Sequence, residues 1–382
     1  MLHSIENSKN TLSNLIRKVQ DQANRANDYL APTHELQKAT TDDGLPFVVM
    51  ESSGGVPTQI FDVNEVAFGQ ISANAGIDVR TARRLQDDVP SEFDAVINAL
   101  WRKNPNTRML RTHAYTDIDP QRKVVGSNGK LRAFVSDKFK TFDNAHLLNA
   151  TIPQLMESDA QWQVVSGDVT ERSMYIRLKS AIHTGEGANL RDVMANGIGL
   201  KNSETGHGSI AVFQMFWTLA CLNGMQTQNI SRSSHITSAR DSADWGLLTT
   251  EAKDADNKAL ELKVRDLVAS YSSRESFDAV LESMRRANDD VVQGETSEAV
   301  QNLGKVLQLT KKETANVLDG LLNTIGQAGY ESGSPVTRAT LINAVTNVAN
   351  SAPADDVDLW QSRGGQVLNL KRHDWNRIAM AA

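Results

Sequence analysis

Two segments of the chain alternate cations and aromatic rings with apolar residues, the pattern of strands that bind single-stranded nucleic acid. Successive side chains of a strand point to opposite faces. In residues 130–140 and 173–179 one face is apolar and the other carries Lys, Arg and one ring. Cations bind phosphates, and rings stack on unpaired bases. The residues expected to form this surface are Arg111, Arg132, Phe134, Lys138, Lys140, Tyr175, Arg177 and Lys179, with Arg232 and His235 as additions.

The same pattern also fits an ordinary amphipathic antiparallel sheet whose Lys and Arg face water. Charge distribution bears on the choice. The chain has a net charge of -6, but residues 101–140 contain ten Lys or Arg and three Asp or Glu. Residues 241–300 contain seven basic and fourteen acidic residues. A basic segment in an acidic chain indicates a local nucleic-acid footprint, and the acidic segment offers a contact for a protein partner.

Residues 197–225 form an unusual block in which a Gly-rich polar loop separates two apolar runs. The loop matches neither the Walker pattern nor a Gly-x-Gly-x-x-Gly that opens a helix. We therefore predict a turn between two strands, with an anion site made of backbone N–H groups as the alternative. The characteristic residues of the block are Asn202, Ser203, Glu204, Gly206, His207, Asn223 and Gly224.

A catalytic site built from Glu204, His207 and His235, with Cys221 behind them, is a further hypothesis. Their spacing lacks any His-Glu-x-x-His pair that would hold zinc. Cys221 is the one cysteine of the chain, and it ends an apolar run, which favours a buried residue over a nucleophile. The sequence therefore assigns no catalytic residue, metal or cofactor, and an enzyme remains the less favoured hypothesis.

The pattern of elements predicts an α+β fold, with a central, mainly antiparallel sheet between helical N-terminal and C-terminal parts. We expect residues 1–100 to form the helical N-terminal part, with a docking helix at 11–30 and a helix pair at 64–85. Residues 101–248 are expected to form the sheet core. Residues 249–382 are expected to be helical, with a polar, partly irregular tail from residue 352. The helix pair also suits a helix-turn-helix, with Arg80, Arg83 and Arg84 on its second helix.

Several short motifs resemble the family of uncharacterised phage and plasmid proteins. They are Asp-Tyr-Leu-Ala-Pro-Thr at 28–33, Leu-Arg-Ala-Phe-Val-Ser-Asp-Lys-Phe at 131–139, Asn-Ser-Glu-Thr-Gly at 202–206, Cys-Leu-Asn-Gly-Met at 221–225, the stretch 232–235 and Asn-Ala-Val-Thr at 343–346. The resemblance covers most of the chain and brings no mechanism with it. It implies an accessory role in the DNA metabolism of phages, prophages or plasmids.

The sequence therefore predicts a cytoplasmic DNA-metabolism protein that binds single-stranded nucleic acid and promotes strand annealing as a homo-oligomer. The alternative is a counter-defence or regulatory factor that binds a host protein through residues 241–300. We see no signal peptide, and the longest apolar run, 210–222, is too short to cross a membrane.

Overall fold

The computed structural model describes residues 2–51, 57–116, 119–186, 193–218, 223–233, 249–326, 333–353 and 356–380. At residues 2–11, 223, 228–233 and 250 the description covers the backbone alone. Within these ranges the chain forms two separate sheets, of six and five strands, and a set of helices that pack on them.

The first sheet contains six strands in the order β1-β5-β6-β4-β3-β2. All neighbours are antiparallel except β4 and β6, which run parallel. Its strands are β1 (Ala26–Pro32), β2 (Leu36–Thr40), β3 (Pro46–Met50), β4 (Gln59–Val63), β5 (Thr107–Ala114) and β6 (Gly129–Ser136).

Three helices cover one face of this sheet: α2 (Glu65–Asn74), α3 (Val79–Asp88) and α4 (Pro90–Lys103). Asn64 caps α2 and Asp78 caps α3, each by accepting hydrogen bonds from backbone N–H groups of the first turn. Gly76 has a φ of +74° in the turn between them. The predicted helix pair is confirmed, and it packs through a core that includes Phe61, Ile71, Phe93, Trp101 and Leu131.

The predicted division at residue 100 is corrected by this sheet. Strands β1 to β4 precede that position and β5 and β6 follow it, and all six hydrogen-bond into one sheet. Residues 1–100 are therefore not a helical part. The helix expected at 11–30 is α1 (Leu2–Arg25), and residues 26–30 already belong to β1.

The second sheet follows α5 (Asn144–Glu157) and has the order β11-β10-β9-β8-β7, all antiparallel. Its strands are β7 (Trp162–Val169), β8 (Met174–Glu186), β9 (Val193–Asn202), β10 (Ile210–Thr218) and β11 (Asn223–Ser233). Strands β7 and β8 form a hairpin that turns at 170–173.

Helices α1, α5 and α6 (Thr250–Ser272) pack on one face of the second sheet. On the other face, two glycines of β9 make room for aromatic rings of β10. A Cβ atom on Gly199 would lie 2.0 Å from Cε2 of Phe213, and one on Gly197 would lie 2.5 Å from Nε1 of Trp217. That indole donates to the carbonyl of Leu178, so the rings lie flat across the strands.

The remaining helices form a C-terminal bundle around a large apolar core. They are α7 (Arg274–Asp289), α8 (Thr296–Val306), α9 (Lys311–Ile325), α10 (Arg338–Asn347), α11 (Val357–Leu368) and α12 (Arg372–Ala379). The expected polar, irregular tail is wrong from residue 357 onward, because Trp360 of α11 and Trp375 of α12 are buried in this core. Thr310 and Glu313 form a capping box at the start of α9.

These elements confirm the predicted α+β class with mainly antiparallel pairing. The prediction of one central sheet missed the division into two.

Candidate functional site

Arg111, expected on an open basic face, is buried among carboxylates. Its Nε lies 3.1 Å from Oδ1 of Asp28 and its Nη2 lies 2.6 Å from Oδ1 of Asp143. Nη1 donates to the carbonyl oxygen of Glu204 at 2.9 Å. Burial alone would lower the pKa of Arg111, but the two carboxylates outweigh burial and raise it. The guanidinium is therefore a fixed structural charge that no phosphate reaches.

Arg132 is likewise buried, with 4% of its surface exposed, and its Nη2 lies 2.9 Å from Oε2 of Glu204. A β-bulge explains the error in the prediction. Strand β5 pairs Arg111 with Ala133 and Thr112 with Leu131, so Arg132 has no residue opposite it. The bulge breaks the strict alternation of faces on which the prediction depended.

Phe134, expected to stack on a base, lies on the helix-covered face of β6. Its ring stacks on that of Trp101 at a centroid distance of 5.6 Å, and 2% of Phe134 is exposed. The guanidinium of Arg108 lies over the same ring at 5.9 Å. The ring faces are therefore already occupied, and the prediction of base stacking on Phe134 is corrected.

The two lysines that follow β6, Lys138 and Lys140, differ in exposure. Lys138 is exposed and forms no ion pair with the described residues. Lys140 is partly buried and pairs with Asp256 of α6. Only Lys138 of this segment therefore keeps the open position that the prediction requires.

The cationic face of β8 is also covered. Arg177 is 7% exposed and pairs with Asp358 of α11, and its guanidinium lies 4.7 Å from the ring centre of Tyr175. Tyr175 and Lys179 are half-buried. The expectation of an open face is therefore wrong at Arg177, because α11 packs where solvent was expected. Arg232 lies on β11 opposite Ala211, its side chain outside the description, and His235 lies outside the described residues.

The loop at 202–209 is a turn between β9 and β10, as predicted. Its first residues are buried and bonded to neighbouring elements. The amide of Asn202 donates to the carbonyl of Phe142, the hydroxyl of Ser203 donates to the carbonyl of Arg172, and Oε1 of Glu204 accepts from the backbone N–H of Asn144 at 2.7 Å. These bonds join the turn to α5 and to the β7–β8 turn.

The later residues of the block divide between this turn and the next strand. Gly206 has a φ of +79°, which favours glycine, and Gly224 begins β11 with Asn223 and contacts the ring of Trp217. The exposed His207 donates its backbone N–H to Ser203 Oγ at 2.9 Å. Burial of part of its ring and the charge of Arg172 lower the pKa of His207.

The catalytic hypothesis loses its carboxylate, because both oxygens of Glu204 are engaged with Arg132 and Asn144. Among the described residues no group of three or more His, Cys, Asp or Glu could hold a metal ion. Cys221 and His235 lie outside those residues. Glu204 and His207 therefore do not form the predicted site between them.

A cleft of about 550 Å³ lies between α2, the first sheet and the 206–209 turn. Gln70 and Asn74 of α2 line it, with Arg108 of β5. The end of β6, the segment after it and the turn close the cleft through Phe134, Val135, Ser136, Lys138, Phe139, Gly206, Gly208 and Ser209.

Two amides fix the walls of this cleft. Nε2 of Gln70 donates to the carbonyl of Thr205 at 2.7 Å, and its Oε1 accepts from the backbone N–H of Phe134 at 2.7 Å. Oδ1 of Asn74 accepts from Nε1 of Trp101 at 3.1 Å. The turn, α2 and β6 are thereby held together, so the cleft is preformed.

Cations gather at the open edge of the cleft. Nε of Arg108 donates to Oδ1 of Asn106 at 2.8 Å, and no described carboxylate lies within ion-pair distance of its guanidinium. Lys138 is exposed on the cleft wall, and Arg102 and Lys103 are exposed at the end of α4, a few residues before Arg108. We define Arg108 and Lys138 as the cleft cations.

Sequence reasoning missed Arg108, Gln70 and Asn74 as part of this site. Strand register could have found the first, because Arg108 pairs with Ser136 and so lies beside the motif at 131–139. The two amides lie on a helix whose docking position only the fold determines.

Comparisons with protein-family models, with curated proteins and with solved structures found no match to this chain. The resemblance to uncharacterised phage and plasmid proteins therefore stays a prediction. Among the described residues, no helix combines the length and apolar character needed to cross a membrane. Binding of a host protein through the acidic segment 241–300, of which the structure describes 249–300, also stays a prediction.

Proposed function

We propose that this protein binds single-stranded nucleic acid, with the cleft beside α2 as the binding site. The observation that carries the proposal is the position of Arg108 and Lys138 on one preformed, partly apolar cleft. The cations can bind the phosphates of a single strand, and the apolar wall can pack against its unpaired bases.

Size and access support this assignment. A volume of about 550 Å³ lies within the range of small-ligand sites, so the cleft accommodates one nucleotide and not a duplex. Arg108 offers the donors of its guanidinium that Asn106 does not use, and a guanidinium binds a phosphate through two parallel hydrogen bonds.

The proposed contacts differ from those expected from sequence. Arg111, Arg132 and Arg177 are buried and each has a carboxylate partner, so they have no role in this site. Lys138 is retained, and Arg108 takes the place of Arg132. The bases would contact the apolar wall near Val135 and Phe139 instead of stacking on Phe134.

The test is binding of a labelled single-stranded oligonucleotide, measured by fluorescence anisotropy over a range of salt concentrations. The variant Arg108→Gln plus Lys138→Gln removes the cleft cations without reversing charge. The matched control, Arg286→Gln plus Lys312→Gln, removes two exposed cations of the C-terminal helices. Both variants change the net charge equally.

We expect the cleft variant to bind more weakly than the control, with a salt slope reduced by about 1.4, as two lost phosphate contacts require for a single strand. The proposal fails if the wild-type protein shows no affinity at low salt. It also fails if the cleft variant and the control bind equally.

Within this proposal, a role in the DNA metabolism of a mobile element depends on the sequence resemblance alone. Strand annealing by an oligomer is the corresponding activity. Sedimentation of the protein with and without oligonucleotide, together with the annealing rate of two complementary strands, tests that part. If the protein is a monomer and does not change the annealing rate, the annealing part of the proposal is wrong and binding alone remains as the proposed function.

A further inference from the structure

One carboxylate of α11 bridges two cations of the second sheet. Oδ1 of Asp358 pairs with Nη2 of Arg177 on β8, and Oδ2 lies 2.9 Å from Nζ of Lys201 on β9. The ring of Tyr175 lies on the other side of the guanidinium, 4.7 Å from it. Two cations from adjacent strands therefore converge on a single anionic group.

This arrangement is also one that a phosphate would accept. A backbone phosphate of nucleic acid presents two anionic oxygen acceptors and a single negative charge, as a carboxylate does, so a guanidinium and an ammonium bind either group. Burial alone would raise the pKa of Asp358, but Arg177 and Lys201 outweigh burial and lower it, as a strong anion site requires. Asp358 thus occupies the position of an anionic ligand.

Access to this position requires only a local change. Asp358 is the second residue of α11, and the helix has no side-chain cap, since Asp356 at its N-cap makes no such hydrogen bond. Helix α11 is anchored further along, where Trp360 is buried and Gly365 packs on the backbone of Gln226. The first turn can unwind while the rest of the helix stays docked.

Exposure shows where a ligand would enter. The side chain of Lys201 is 36% exposed, whereas that of Arg177 is 8% exposed. Leu359, next to Asp358, is 45% exposed. Solvent therefore reaches the pair from the Lys201 side.

We propose that Arg177 and Lys201 form a second phosphate-binding site, which Asp358 occupies in the free protein and a phosphate of single-stranded nucleic acid takes over when the first turn of α11 opens. The proposal rests on the proposed function, since it concerns the same ligand at a second position. Asp358 then acts as an internal competitor that lowers the affinity of this site for phosphate.

The first experiment compares Asp358→Asn with Asp254→Asn, which removes an exposed carboxylate of α6 and so changes net charge equally. We expect Asp358→Asn to bind a single-stranded oligonucleotide about tenfold more tightly than the control, the effect of one strong charge-assisted contact. Adding Arg177→Gln to Asp358→Asn should remove that gain. Equal affinity of the Asp358 and Asp254 variants overturns the proposal.

A second measurement uses the wild-type protein, so it does not depend on how well a variant folds. The backbone N–H of Trp360 donates to the carbonyl of Asp356 across the first turn of α11, and its hydrogen exchange should become faster when a saturating oligonucleotide displaces Asp358. Unchanged or slower exchange there overturns the proposal. Failure of the proposed function is recognised separately, because the cleft variant Arg108→Gln plus Lys138→Gln then binds as its control does.

Discussion

Nη2 of Arg132 lies 2.9 Å from Oε2 of Glu204, and both residues are buried, at 4% and 7% exposure. This ion pair joins the bulged strand of the first sheet to the turn between β9 and β10 of the second. Glu204 also accepts from the N–H of Asn144, at the start of α5. The conspicuous polar block of the sequence is therefore a structural junction.

Replacing Glu204 by Gln should destabilise the protein by about 3 kcal/mol, because a buried guanidinium loses its charged partner. The amide oxygen of Gln still accepts from Asn144, so the loss reports mainly on Arg132. Urea unfolding at neutral pH measures the effect. The control Glu282→Gln changes an exposed glutamate of α7 and should stay within about 0.5 kcal/mol of the wild type. Equal stability of the two variants would contradict the junction.

Gly199→Ala should cost about 2 kcal/mol or more, because its Cβ would lie 2.0 Å from the buried ring of Phe213. Gly208→Ala is the matched control, since its Cβ would meet only Cβ of Ser203, at 3.7 Å. We expect Gly208→Ala to unfold within about 0.5 kcal/mol of the wild type. Thermal or urea unfolding measures the stability of the two variants. Equal stability would contradict the prediction, because it would show that the ring of Phe213 moves aside without cost.

His113 makes the stability of the protein depend on pH. Burial and the charges of Arg132, Arg25, Lys130 and Arg111 lower the pKa of His113 from 6.5 to about 2. Between these values the unfolded chain binds a proton that the folded chain does not, so stability falls as pH falls below 6.5.

We expect this one group to contribute a slope approaching about 1.4 kcal/mol per pH unit below that value. Unfolding free energies of wild type and His113→Gln between pH 7 and mildly acidic conditions measure the contribution, and the variant should show the shallower slope. Parallel slopes for wild type and His113→Gln would contradict the prediction.

Asn98 of α4 protects strand β2 at the edge of the first sheet. Its Oδ1 accepts from the backbone N–H of Lys38, and its Nδ2 donates to the carbonyl of the same residue, each at 2.8 Å. Asn98→Leu should cost about 3 kcal/mol, because two buried backbone groups lose their partners.

Asn376→Leu, at an exposed position of α12, is the control for added hydrophobicity. Urea unfolding measures stability, and light scattering tests whether the uncovered edge promotes aggregation. Equal stability of the two variants would show that water replaces the amide without cost.

The sequence alone determined the local elements. Side-chain periodicity located α2, α3, β6, β8 and the helices after residue 249, because period and capping residues act within a few positions of the chain. Turn chemistry also predicted that residues 202–209 connect two strands. The α+β class followed from these elements.

Only the tertiary structure decided which side chains are free. The alternation that placed Arg132 beside Phe134 fails at a β-bulge, whose position depends on pairing with β5. Arg111 and Arg177 look like surface cations in sequence, but Asp28, Asp143 and Asp358 neutralise them from elements distant in the chain. Burial of a charge depends on long-range packing, which local pattern does not encode, so the cleft around Arg108 and Lys138 emerged only when the sheets and helices were assembled.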